Sequence, residues 1–163
     1  MADQQEFREK LWKSLKSDMT VMLEADGIDA RPMTAQVDGE PGVIWFFTSS
    51  DTEMGQGLAS AKKSRISFAS KGHDLFAHIH GSLRIDNDQA QIDRHWNRFV
   101  AAWFEGKDDP KVTLLRFDPE RAEVWKDASS LVAGVKMLLG LGDPKEDYKD
   151  HAAEISLSGK KVA

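Results

Sequence analysis

The run RPMTAQVDGEPGVIWFFTSS, residues 31–50, decides the fold. Around a polar hinge, Val37-Asp38-Gly39-Glu40-Pro41-Gly42, lie two segments of extended character, Met33 to Val37 and Val43 to Thr48. β-Branched and aromatic side chains favour a pleated backbone, and the Gly/Pro/Asp cluster between them supplies turn chemistry. The second segment is apolar on both faces, which predicts a central strand covered on two sides. It stops abruptly at Thr48-Ser49-Ser50-Asp51-Thr52, where hydroxyls and backbone N–H groups follow in quick succession. A strand end of that kind can hold an anion, especially where a helix begins.

Upstream, Phe7, Leu11, Trp12 and Leu15 recur at helical spacing and predict an amphipathic helix over residues 3–17, capped by Asp3 with Glu6 completing the box. Trp12 is assigned to the core. A strand follows at Met19 to Leu23, and Asp26-Gly27 carries a hairpin signal. Pro32 lacks the N–H that a ladder needs, so Arg31-Pro32 belongs at the start or edge of a strand. Downstream, residues 52–63 read as a helix capped by Asp51 or Thr52, with Met54, Leu58 and Ala61 on one side. Arg65 to Ser70 alternates as a half-buried strand, Lys71 to Asp74 turns the chain, and Leu75 to Ile85 is another strand.

Residues 88–104 return to helical periodicity, with Ile92, Trp96, Phe99, Val100 and Trp103 on one apolar face and a stop at Gly106 to Pro110. Val112 to Phe117 and Ala122 to Trp125 read as two strands around Asp118-Pro119. Leu131 to Leu141 is either a short helix or a surface-laying segment. Residues 143–163 form a charged tail expected to be loosely held, with Ile155 and Leu157 able to dock. About six or seven strands with few helices favour a mainly β domain with flanking helices, an antiparallel, Greek-key-like sheet curled into a small barrel. Helices do not alternate with strands, so a parallel doubly wound sheet is excluded. The chain reads as one domain over residues 1–163.

The formal charge of −5 and the absence of a basic tract argue against general nucleic-acid binding. With no cysteine, disulfides, thiol catalysis and Cys-ligated zinc drop out. No apolar run approaches the roughly 20 residues that cross a bilayer, and the polar N-terminus does not resemble a signal peptide, so the expected location is cytoplasmic. His78 and His80 share a strand face and could ligate a metal with a carboxylate from elsewhere, but no HExxH or comparable spacing accompanies them. No metal site is assigned. His95 is placed on the solvated side of its helix. Gly55-Gln56-Gly57 lacks both the serine of a nucleophile elbow and the third glycine of a dinucleotide fingerprint. A wide apolar floor beside an anion-binding rim suits a flavin nucleotide.

Arg31-Pro32-Met33-Thr34 and Trp45-Phe46-Phe47-Thr48-Ser49 resemble the flavin-binding core of the pyridoxamine 5′-phosphate oxidase-like split β-barrels. His95 to Pro110 (HWNRFVAAWFEGKDDP) and Ala122-Glu123-Val124-Trp125 resemble the general stress protein branch of that family. The resemblance implies a homodimer of FMN-binding split barrels, with FMN or FAD at the subunit interface. It implies that Arg31, Pro32, Met33 and Thr34 line one side of the flavin ring, Trp45, Phe46, Phe47 and Thr48 the neighbouring strand, that Ser49 contacts phosphate, and that Trp125 reaches in from the partner. The expected cofactor set also includes Thr52, Met54 and Lys71. The oxidases carry an Arg-Lys pair where this chain has Glu53-Met54, which either weakens phosphate binding or shifts that work to Arg31, Lys62, Lys63 or Lys71. The basic C-terminal pattern of the oxidases is also missing. The implied function is flavin binding in a stress response, with flavin-dependent oxidoreductase activity on an unidentified small redox partner and not pyridoxamine phosphate oxidation. A non-catalytic flavin carrier or sensor and a cofactor-free structural dimer are the alternatives, and no residue is named as catalytic.

Overall fold

Asp26-Gly27 forms the two-residue turn that its chemistry predicts. β1 (Thr20–Ala25) folds back on β2 (Ile28–Thr34), and Gly27 sits at φ +78°, a backbone state available to glycine without strain. The computed structural model describes residues 4–38, 41–126, 138–140 and 152–158. Ahead of the hairpin lies α1 (Gln4–Asp18), whose stripe of Phe7, Leu11, Trp12 and Leu15 is buried in the main core, Trp12 included. The proposed cap Asp3 lies outside the described residues.

β3 (Ile44–Ser49), β4 (Lys62–Ala69), β5 (Leu75–Ile85) and β6 (Val112–Lys126) complete an antiparallel sheet in the order β2-β1-β4-β5-β6-β3, with β7 (Ala152–Ser156) paired to β6. β4 buries Ser64, Ile66 and Phe68, while Lys63, Ser67 and Ala69 between and beside them are exposed and Arg65 is part-exposed, as its period of two dictates. Just beyond β2, Gln36 N–H donates to the Trp45 carbonyl at 2.8 Å and Trp45 N–H returns to the Gln36 carbonyl at 3.0 Å. This bridge joins the two ends of the order and closes the sheet into a barrel. Among the described residues, no helix is long and apolar enough to cross a membrane.

Five expectations need correction. β3 is not central: it is the last strand of the order, laddered along its length to β6 alone. Both its faces are nevertheless covered, Ile44 and Phe46 by the main core and Trp45 by a second cluster with Ile92, Val112 and Leu114. The helix expected over 52–63 is only α2 (Glu53–Gly57): Leu58 leaves the helical backbone and Lys62-Lys63 already belong to β4, while α2 presses on the barrel so closely that a Cβ at Gly55 would collide with the Ser49 carbonyl. The helix expected over 88–104 splits into α3 (Gln89–His95) and α4 (Arg98–Ala101), since Asn97 is extended and its side chain accepts from the N–H groups of Phe99 and Val100. Phe99 and Trp103 thereby leave the expected buried face and are 70% and 85% exposed. The two strands expected around Asp118-Pro119 are one, β6, and a register shift beside Gly81 accommodates the proline. His95, expected to be solvated, is buried.

In the segment expected to be loosely held, residues 152–156 form β7, and Ile155 is docked in the main core. Arg8 Nη2 ties this strand to α1 by donating to the Ser156 carbonyl at 2.6 Å. Residues 131–141 lie outside the described residues, apart from 138–140.

Gly81 faces the Asp118 carbonyl and the Phe117 ring where the β5–β6 register shifts, with no room for a Cβ. Gly81→Ala is expected to lose about 1–3 kcal/mol, the usual cost of overpacking, read as a lower urea midpoint. An unchanged midpoint contradicts the packing described here.

Candidate functional site

Where the barrel closes, a cavity of about 560 Å³ opens, within the range typical of small-molecule sites. The end of β2 contributes Pro32, Met33 and Thr34, and the closing bridge adds Gln36. From β3 come Phe47, Thr48 and Ser49, with Thr52 at the cap of α2. The opposite wall is Asn97, Phe99, Val100, Trp103 and Phe104, from α4 and the turn after it. Met19 completes the lining; it has φ +51°, a left-handed state that costs a non-glycine residue, fixed by Met19 N–H to the Leu15 carbonyl and Ala35 N–H to the Met19 carbonyl.

The hydroxyls at the end of β3 are partly committed. Thr52 donates to the Ser49 carbonyl at 2.8 Å and accepts from Gly55 N–H at 3.0 Å. Its one proton is therefore used, so in the 2.8 Å contact between the Thr48 and Thr52 hydroxyls Thr48 is the donor. A hydrogen bond from the Ser49 hydroxyl holds the Asp51 carboxyl below its ordinary value. Arg31, next to the lining residue Pro32, pairs with Glu53 at 2.8 Å. The anion at the position of the missing Arg-Lys pair is thus partnered within the chain. Arg31 Nε is buried without a hydrogen-bond partner, a donor left over at the edge of the site.

The candidate residues divide. Pro32, Met33, Thr34, Phe47, Thr48, Ser49 and Thr52 meet at the cavity, with Arg31 at its border. Phe46 and Met54 point into the main core and are fully buried. Trp45 faces outward against His95, ring centroids 6.2 Å apart, with the Arg116 guanidinium 5.7 Å over its ring. Lys71 lies in the β4–β5 turn, its N–H on the Asp18 carboxylate at 2.8 Å, beside Met19 of the lining. Trp125 is on the outward face of β6, opposite Phe76, and does not line the cavity within one chain. Sequence reasoning missed Met19, Gln36 and Asn97 and treated Phe99, Val100 and Trp103 as one helix face. The Asn97 capping chemistry was the available clue.

The cavity continues onto an outward sheet face. Cross-strand pairing runs from Pro32 to Met22, Ser67, His78 and Glu123, so these side chains share one side of the sheet. On that side Met22 and Phe76 are 40% and 41% exposed.

An antiparallel barrel with a cleft at its seam is the architecture of the split β-barrels. A family profile described as pyridoxamine 5′-phosphate oxidase like matches residues 5–142. The solved structure of a general stress family protein from Xanthomonas campestris pv. campestris is 54% identical, with a TM-score of 0.75 over 80% of this chain and 93% of that one. That of the general stress FMN/FAD binding protein from the phytopathogen Xanthomonas citri is 53% identical, with a TM-score of 0.74 over 77% of this chain and 92% of that one. General stress protein 26 of Bacillus subtilis (strain 168) is 34% identical over 47 residues, 29% of this chain. That match spans 34% of the relative's own length. The chain belongs to the pyridoxamine 5′-phosphate oxidase-like family, in its general stress protein branch.

Behind the cavity wall, burial against Trp45 pushes the His95 imidazole below its ordinary pKa; the Asp38 carboxylate opposes the shift and Arg94 adds to it. The unfolded chain then binds a proton near the ordinary value of about 6.5 that the folded chain refuses. This contribution to stability is complete above that value and is lost progressively as pH falls below it. Urea midpoints are expected to fall between about pH 7.5 and 5.5, with part of the fall absent in His95→Phe. Parallel pH profiles for the two proteins would remove His95 from this role.

Proposed function

We propose that this protein is a flavin-binding stress protein that holds FMN or FAD in the cavity at the barrel seam, in a homodimer. The observation that carries the reading is the cavity itself: about 560 Å³, walled by Met33, Phe47 and Val100, with amide and hydroxyl groups of Thr34, Gln36 and Ser49 at its margin. Apolar walls suit a planar ring system, and the polar margin suits the hydrogen-bonding edge and phosphate of a flavin nucleotide. The description of the Xanthomonas citri relative as an FMN/FAD binding protein supports it.

In this reading Pro32 to Thr34 and Phe47 hold the ring. The spare Nε donor of Arg31 faces the phosphate, and the Thr48 and Ser49 hydroxyls join it on turning their protons away from Thr52 and Asp51. A monoester phosphate has to compete with Glu53 for Arg31, whereas a diester asks for less charge neutralisation, so FAD is accommodated as readily as FMN. When bound, the flavin supplies hydride and electron transfer; the chain supplies position, shelter from water and an electrostatic setting. The reaction proposed is oxidoreduction of a small partner, and holding flavin without turnover is the second reading.

The outward face beginning at Pro32 and Met22 and passing Phe76 to Trp125 is where a second copy docks. A twofold axis through that face carries Trp125 of each subunit to the cavity of the other.

The purified protein is expected to be yellow, to release FMN or FAD to mass spectrometry, and to elute as a dimer by light scattering. Trp125→Ala should weaken flavin binding about tenfold or more, since stacking on a heterocycle is worth ~1–3 kcal/mol. Trp45→Phe, whose ring faces away from the cavity, should not. A colourless protein that takes up neither added flavin, or a monomer, would overturn the proposal. Bleaching of the bound flavin by NADH or NADPH selects the enzyme, and inertness selects the carrier.

A further inference from the structure

His78 and His80 stand two residues apart on β5, and therefore on one side of the sheet, their ring centroids 4.4 Å apart. Across the ladder, β6 sets Glu123 directly opposite His78. One carboxylate oxygen, Oε2, lies 3.3 Å from His78 Nδ1 and 3.1 Å from His80 Nε2. All three potential ligand atoms lie within 4.8 Å of one another. We propose that His78, His80 and Glu123 form a binding site for a divalent transition-metal ion of the zinc class, complete within one chain and separate from the cavity.

The spacing is the first support. Zinc bonds of about 2.0–2.1 Å at tetrahedral angles set neighbouring ligand atoms roughly 3.3–3.4 Å apart, and both imidazole-to-carboxylate separations are close to that. The donor set is the second: two imidazoles with one carboxylate suit zinc or a neighbouring first-row metal and leave a coordination position open for water or an exogenous ligand.

The surrounding charges are arranged to hold the carboxylate in place. Arg121 donates to the other oxygen, Oε1, at 3.0 Å, leaving Oε2 turned toward the two rings. Arg121 also lies 4.0 Å from Glu154 of β7, so its positive charge is shared. On β4, Arg65 is opposite His80, but its guanidinium is taken by Glu24 and Asp26, each at 3.1 Å. The three ligands are each only part-exposed, so within one chain the site is partly desolvated yet open to solvent. None of the three lines the cavity, so metal and flavin uptake are read separately, although His78 and Glu123 share the outward sheet side on which the proposed dimer face lies.

In the metal-free chain the two rings can both hydrogen-bond to Oε2, and a titration separates that arrangement from a metal site. The full chain, without a histidine tag and stripped with chelator, is titrated with Zn²⁺ by calorimetry and with Co²⁺ by visible absorption. One equivalent per chain is expected, with the d–d bands of a low-symmetry cobalt centre. Glu123→Gln, which keeps the shape of the side chain, and His80→Ala should each weaken Zn²⁺ binding by at least the 10–100-fold typical of losing even an outer-shell partner. His73→Ala, outside the cluster, should leave it unchanged. Zn²⁺ should raise the melting temperature of the wild-type chain and not that of Glu123→Gln, which guards against reading misfolding as lost affinity. No saturable uptake, or equal affinity in wild type and Glu123→Gln, would refute the site.

Discussion

Two backbone hydrogen bonds, Gln36 N–H to the Trp45 carbonyl and Trp45 N–H back to Gln36, are the constraint on which the molecule depends. Without them β2 and β3 are opposite ends of an open sheet. With them, the end of β2 lies beside the end of β3, and together they make the wall of the cavity that faces α4. Each bond is worth only about 0.5–1.5 kcal/mol net. Burying Ile44 and Phe46 contributes more, at about 1.5–3 kcal/mol per side chain. The bridge therefore fixes register more than it supplies stability. A slip of one residue would turn Phe46 out of the core and Phe47 and Ser49 away from the cavity.

The elements most legible in the sequence are those whose pattern is local. Alternation marks β4 and β5, Asp26-Gly27 marks the first hairpin, and a 3.6-residue stripe marks α1. The misreadings have physical causes of two kinds. Hydropathy reports that β3 is covered on both faces but not what covers it, and here the outer cover is the cluster around Ile92 and Trp96. Periodicity also runs through residues 88–104 as though unbroken, while the Asn97 side chain takes the N–H groups of Phe99 and Val100 and starts a new helix. Local side-chain competition overrode the wider pattern.

The site was legible to the same degree and for the same reasons. The hydroxyl-rich end of β3 and the Pro32-Met33-Thr34 segment were visible as residue types. Met19 and Gln36 were not, because they act through a left-handed backbone and a bridging amide that any side chain can provide. Glu123 could not be joined to His78 and His80 from spacing, since their meeting depends on the cross-strand register of β5 and β6.

The break at Asn97 also bears on what the cavity is for. It leaves Phe99 and Trp103 in the cavity wall with most of their surface in water, although both rings are large enough to dominate a core. Leaving such side chains exposed forgoes about 1.5–3 kcal/mol each relative to burial. Their exposure is concentrated where Met33, Phe47 and Val100 already present apolar surface, so the forgone stabilisation becomes available to whatever occupies the cavity and covers its rim. Strain at Met19, the spare donor on Arg31 and the uncovered rings lie along one seam, and local departures from good packing of this kind gather at functional sites.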